Sequence, residues 1–246
     1  MNILFVLYSD FTCNSINHIA PFAAELTRMG HACAVAVPYG LETIASVSHP
    51  RFQPLLFDRT LADPSCFPDG RAADLLHVWT PREIAREFAF AYLAERPDTL
   101  LLVHLEDGER DITAAMLGIP SADFALFDDR ELARQIPISY AHPRYAEYLL
   151  LLADGVTVIQ DKLTSLVPPF ISRLILYPGV DLALFQPRPP DPRLRAALGI
   201  SAAGWRVLVG DLQRLADLIV VAVTSALAAA PPLNADPRSA ASFPIV

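Results

Sequence analysis

The chain has 246 residues, 53% of them hydrophobic and 19% charged, with a formal net charge of −8. This content excludes a disordered chain. The acidic balance, with Lys162 as the one lysine, excludes non-specific binding to nucleic acid, which needs a basic face. The length admits one large α/β domain, or one domain and a remainder, and is too short for two domains of about 150–200 residues each.

Asn2–Leu7 is an almost wholly apolar run, as in a strand buried on both faces of a parallel sheet. It has no basic n-region or cleavage site and does not read as a signal peptide. A polar loop, residues 8–15, follows. Ile19, Phe22, Ala23, Leu26 and Met29 then recur at helical spacing, with Ser15 or Asn17 as the cap and Gly30 where a C′ glycine belongs. His31 bonds the helix end in this reading, and Ala32–Val37 is a second strand, completing a βαβ unit. Cys13, Cys33 and Cys66 are odd in number and widely spaced. That argues against a disulfide framework and for a reducing, cytoplasmic compartment.

Asp74–Val78 is the next predicted strand. Thr80-Pro81-Arg82-Glu83 predicts a helix start, with Thr80 as cap, Pro81 at the first helical position and Glu83 completing a capping box. That helix runs to Glu95, before Pro97. Thr99–Val103 reads as a strand ending at His104. Helices follow over Ile112–Leu117 and Tyr145–Leu152, then strands over Gly155–Ile159 and Leu174–Leu176. Such alternation predicts a Rossmann-like, doubly wound parallel sheet. Residues 186–205 are expected to form a Pro-rich linker and a short helix, Pro192–Leu198. Arg206–Gly210 reads as the first strand of a further domain. Residues 218–230 are apolar, but shorter than the roughly 20 residues of a membrane span.

Three passages resemble retaining glycosyltransferases of the GT-B fold, family-4-like. Asn2–Leu7, its helix and Met29-Gly30-His31-Ala32-Cys33-Ala34-Val35 are similar to that family's opening strand, helix and "GHxV" strand. Leu152-Ala153-Asp154-Gly155-Val156-Thr157-Val158-Ile159 looks like its "ADxVxxxS" strand. Tyr177-Pro178-Gly179-Val180-Asp181, with Phe185 and Pro187, resembles the "PNGVDxxxFxP" segment before the interdomain hinge. The resemblance implies an acceptor-side domain over residues 1–185, with the linker at 186–205 and an incomplete or aberrant start of a donor domain at 206–246. Intact relatives move a sugar from a nucleotide-sugar donor to an acceptor. Their first loop carries glycines and their donor half a basic residue and a pair of Glu. Here residues 8–15 have no Gly, and no Glu or Lys follows Gly199. The chain is therefore expected to be inactive alone, with the nucleotide sugar a ligand of intact relatives.

The resemblance, together with its place at the carboxyl edge of its strand, implies that His104 is an acceptor-orienting group or weak base, with Glu106 or Asp107 beside it. The other reading is a strand-end His bonded to a capping carboxylate. Ser9, Asp10, Asn14, Ser15 and His18, on and after the first loop, read as substrate-binding, against plain loop solvation and capping. Trp79, beside His77, could stack on a sugar, but the two are better read as a core-edge pair. His142 reads as a cap. No residue spacing suggests a metal site, and no cofactor is expected.

The implied partners are a carbohydrate or lipid-linked acceptor and a missing second domain or partner chain. No transmembrane span is expected, and the expected location is cytoplasmic, with peripheral membrane association as a further option. The rival class is a non-catalytic carbohydrate-binding or interaction module. A nucleotide- or flavin-binding α/β protein is disfavoured by the missing glycine fingerprint.

Overall fold

The computed structural model describes residues 1–179. The linker and short helix at 186–205, the strand at 206–210 and the 206–246 remainder lie outside the described residues.

Seven strands form one fully parallel sheet. They are β1 (Asn2–Leu7), β2 (Ala32–Val37), β3 (Gln53–Leu56), β4 (Leu75–Trp79), β5 (Leu100–Leu105), β6 (Gly155–Val158) and β7 (Arg173–Ile175). Their order is β3-β2-β1-β4-β5-β6-β7. The chain winds outward from β1 to β3, then returns to β4 on the other side and winds outward again. The order therefore reverses between β1 and β4. In open α/β sheets the crevice outside the carboxyl ends of the strands at such a point is where ligands bind.

The helices are α1 (Ile16–Arg28), α2 (Phe57–Ala62), α3 (Glu83–Glu95), α4 (Glu109–Leu117), α5 (Asp129–Gln135) and α6 (Pro143–Leu152). Alternate residues along the strands split the core in two. On one face Phe5, Leu7, Val35, Val37 and Trp79 pack on Ile16, Ile19, Phe22, Ala23 and Leu26 of α1. On the other, Leu4, Val6, Val78, Val103 and Val158 meet Phe88, Ala89 and Tyr92 of α3 and Leu149 and Leu150 of α6. The sheet is thus covered from both sides, a Rossmann-like α/β architecture. Among the described residues no helix is long and apolar enough to cross a membrane.

Several local expectations change. Ser15 occupies the cap position of α1, but its side chain makes no capping bond. The His31 amide bonds the helix end as expected, donating to the Leu26 carbonyl at 3.0 Å, and its ring lies 3.4 Å from the Met1 amine. Helix α3 begins at Glu83, because Arg82 is extended (φ −74°, ψ 151°) and no side chain caps it. The amides of Glu83 and Ile84 instead donate to the carbonyls of Tyr140 and Ile138, both at 2.9 Å. Tertiary bonds satisfy the amides for which Thr80 was predicted as a cap. Strand β5 continues through Leu105, so His104 lies within the sheet, opposite Trp79 and Thr157.

Candidate functional site

Three elements meet at the reversal point. The loop after β1 and the first turn of α1 bring Tyr8, Ser15 and His18. The end of β4 brings Trp79, Thr80 and Arg82. The end of β5 and the start of α4 bring His104, Glu106 and Glu109.

Ser15, which is fully buried, donates its hydroxyl to Glu106 Oε2. The other carboxylate oxygen, Oε1, lies 4.0 Å from His18 Nε2 and has no hydrogen-bond partner. Burial pushes the Glu106 carboxyl up, opposed by the Ser15 bond and by the charge of Arg82. Burial also lowers the pKa of His18. Both groups are thereby biased toward their neutral forms.

Behind this pair lies a buried ring stack. Trp79 and His104 stack with centroids 3.9 Å apart, and His18 lies 6.3 Å from Trp79 on a nearly parallel plane. His104 Nδ1 is 2.7 Å from Thr157 Oγ1, and His77 Nε2 reaches the same oxygen at 3.1 Å. His104 is fully buried, which lowers its pKa well below the ordinary value, with His77 and His18 adding to the effect. Burial holds His77 at about 3. Four buried polar atoms here lack a hydrogen-bond partner: His18 Nδ1, Trp79 Nε1, His104 Nε2 and Glu106 Oε1. Buried polar groups are normally paired, so this cluster stands apart from the rest of the core.

Arg82 does not supply a free cation. Its Nε lies 3.1 Å from both oxygens of buried Glu109, and its guanidinium stacks 3.9 Å over the Tyr8 ring. Burial raises the Glu109 pKa, opposed by Arg82.

The predicted site residues divide. Ser15, His18, His104 and Glu106 come together. Asn14 and Asp107 are exposed and make no side-chain hydrogen bond among the described residues. Asp10 closes its own loop, accepting from the Thr12 amide (2.9 Å) and hydroxyl (2.6 Å). The Ser9 hydroxyl lies 3.2 Å from that of Tyr39. Trp79, read with His77 as a core-edge pair in preference to a sugar stack, is 1% exposed and stacks on His104. His77 is in the core, and His142 caps α6 by accepting from the Tyr145 amide. Sequence reasoning missed Thr157 and the Arg82–Glu109 pair. An apolar strand interrupted by one hydroxyl was the only available sign of Thr157. Among the described residues no three His, Cys, Asp or Glu side chains are grouped to hold a metal ion.

No protein-family model matches the chain, and no curated protein matches it. Among solved structures it is similar to an alpha-glucosyltransferase in complex with UDP and a 13-mer DNA containing a central A:G mismatch. The TM-score is 0.43 and the identity 13%, covering 74% of this chain. The chain spans 42% of the length of that glucosyltransferase.

Proposed function

We propose that residues 1–179 form the acceptor-side domain of a glycosyltransferase, and that the crevice at the β1/β4 reversal binds a carbohydrate hydroxyl. The carrying observation is Glu106. One of its oxygens is held by Ser15, while the other is buried, unpartnered and 4.0 Å from His18. The order of the three sequence passages that resemble the GT-B family supports the same reading.

The chemistry follows from what these residues can do. Ser15 fixes the carboxylate, so Oε1 is oriented to accept a hydrogen bond from an incoming hydroxyl. A carboxyl with a raised pKa is better matched to receive that hydroxyl's proton as the oxygen bonds to the sugar carbon. The glycosidic bond to the departing diphosphate breaks in the same reaction, and the diphosphate leaves with the electron pair. Its charge needs a cation or oriented backbone amides. Arg82 is engaged by Glu109, and the loop at 8–15 has no Gly. The donor is therefore held by a second domain or a partner chain, and residues 1–179 orient the acceptor.

The same pairing of Arg82 favours a second reading, a non-catalytic carbohydrate-binding module. Titrating the purified chain with neutral glycosides and separately with nucleotide sugars tests the proposal. Glycosides should bind, and Glu106→Ala should weaken them by about tenfold, the worth of a hydrogen bond to a charged group. Nucleotide sugars should bind weakly without turnover. Glycoside affinity indifferent to Glu106 overturns the site, and transfer by the chain alone overturns the division of labour. Transfer that appears only with an added donor domain excludes the non-catalytic module.

A further inference from the structure

We propose that Thr157 is a positioning residue that fixes His104 as the neutral tautomer with its proton on Nε2. In that state the carboxyl end of β5 carries a buried, unpartnered hydrogen-bond donor, and not a base.

One oxygen is shared by two rings. Thr157 lies directly opposite His104 in the β5–β6 register. His104 Nδ1 and His77 Nε2 both lie within hydrogen-bond distance of its Oγ1, at 2.7 and 3.1 Å. The three residues are 0%, 2% and 4% exposed, so water does not compete. A hydroxyl has one proton to donate and two lone pairs to accept with. The oxygen can accept from both rings through its two lone pairs, or donate to one and accept from the other, and the unequal lengths favour the second. The shorter contact has the length of a donating O–H, and the longer that of an N–H donating to oxygen. The hydroxyl proton therefore points at His104 Nδ1, and His77 donates from Nε2. His104 Nδ1 is then an acceptor, which leaves its proton on Nε2.

Two further observations hold this arrangement. Trp79 stacks on the His104 ring at 3.9 Å with planes 23° apart, while His77 stands edge-on at 6.1 Å and 83°. Turning the His104 ring over would put carbon against Thr157 and lose the bond. Burial keeps both rings neutral. The titratable groups around His104 are His77 on β4, His18 on α1 and Glu106 just past its own strand. The nearby histidines disfavour a charge on His104 further.

The consequence is a polarity for the site. His104 Nε2 has no partner, so it is a buried donor seeking an oxygen. Glu106 Oε1, two residues on, is a buried acceptor seeking a proton. A hydroxyl is the group that accepts from the first and donates to the second. The tautomer stands without the sugar-transfer reading. Only the identity of the hydroxyl as a carbohydrate's rests on it.

Long-range proton–nitrogen NMR of the ¹⁵N-histidine-labelled full chain tests this directly, with His104→Gln assigning the signal. The expected result is one His104 tautomer, protonated at Nε2 and unchanged between about pH 5.5 and 8. Thr157→Val should release it to a mixture or to the Nδ1 form, and Thr157→Ser should restore it. A wild-type His104 protonated at Nδ1, or titrating near neutral pH, overturns the proposal without need of any variant. So does a Thr157→Val spectrum identical to wild type. A correct tautomer in a chain that binds no glycoside would refute the sugar-transfer reading and leave this one standing.

Discussion

Truncating Trp79 to Ala removes the ring that joins the core to the candidate site. The side chain is 1% exposed, stacks on His104 at 3.9 Å and touches His77, Phe22 and His18 with centroids at 5.5, 6.1 and 6.3 Å. Emptying a core site of this size costs about 3–5 kcal/mol. Losing the stacked pair adds about 0.5–1.5 kcal/mol. Against this, the indole N–H has no partner, and removing an unpaired buried donor returns about 1–3 kcal/mol. The net expectation is about 3–4 kcal/mol, a large share of the roughly 5–15 kcal/mol that stabilises an ordinary domain. Trp79→Phe keeps a ring, discards the unpaired N–H and should cost about 1 kcal/mol. Urea unfolding followed by far-UV circular dichroism measures both variants. A loss below about 1.5 kcal/mol for the alanine variant, or equal losses for the two, would refute a buried wedge of this kind.

Three further expectations concern charge and thiol chemistry. Glu106 has a raised pKa in the fold, so its contribution to stability is full below its unfolded pKa and is lost as pH rises through the folded value. Glu106→Gln keeps an acceptor for Ser15 and does not titrate. Its unfolding free energy relative to wild type should therefore rise from pH 4 to pH 7, and a fall would contradict the buried carboxylate. Arg82→Leu leaves Glu109 buried without its partner and should cost about 3–5 kcal/mol, with much of the loss restored by adding Glu109→Gln. Equal stability of the single and double variants in urea would show that the pair is not coupled. Cys33 is buried and its thiol is pushed up to about 11, so at pH 8 a thiol reagent should modify Cys13 and Cys66 well before it. Cys33 labelling as fast as the other two counts against its place in β2.

The alternation of strands and helices was legible because each central strand is apolar on both faces and α1 carries an unbroken buried stripe. Strand β3 was not. It is four residues long, contains Pro54 and lies at a half-exposed edge, so neither run length nor periodicity marks it. The start of α3 was misplaced because Thr80 and Glu83 spell a capping box, while the amides it would serve bond to residues near 140, far along the chain. The site was half legible. Its location at strand carboxyl ends, and Ser15, His18, His104 and Glu106, follow from element order. What each side chain does there depends on partners distant in sequence. Ser15 looked like a cap and is a donor to Glu106, 91 residues away. His104 looked like a strand-end base and is buried against Thr157, 53 residues away.

The central claim is that a carbohydrate hydroxyl enters the crevice between β1 and β4. Mapping backbone and histidine NMR shifts of the full chain during titration with a neutral glycoside tests it most directly. Saturable changes concentrated at Ser15, His18, His104 and Glu106 are the expected result. Changes confined to the opposite, amino-terminal end of the sheet, around 71–74 and 95–99, would contradict it.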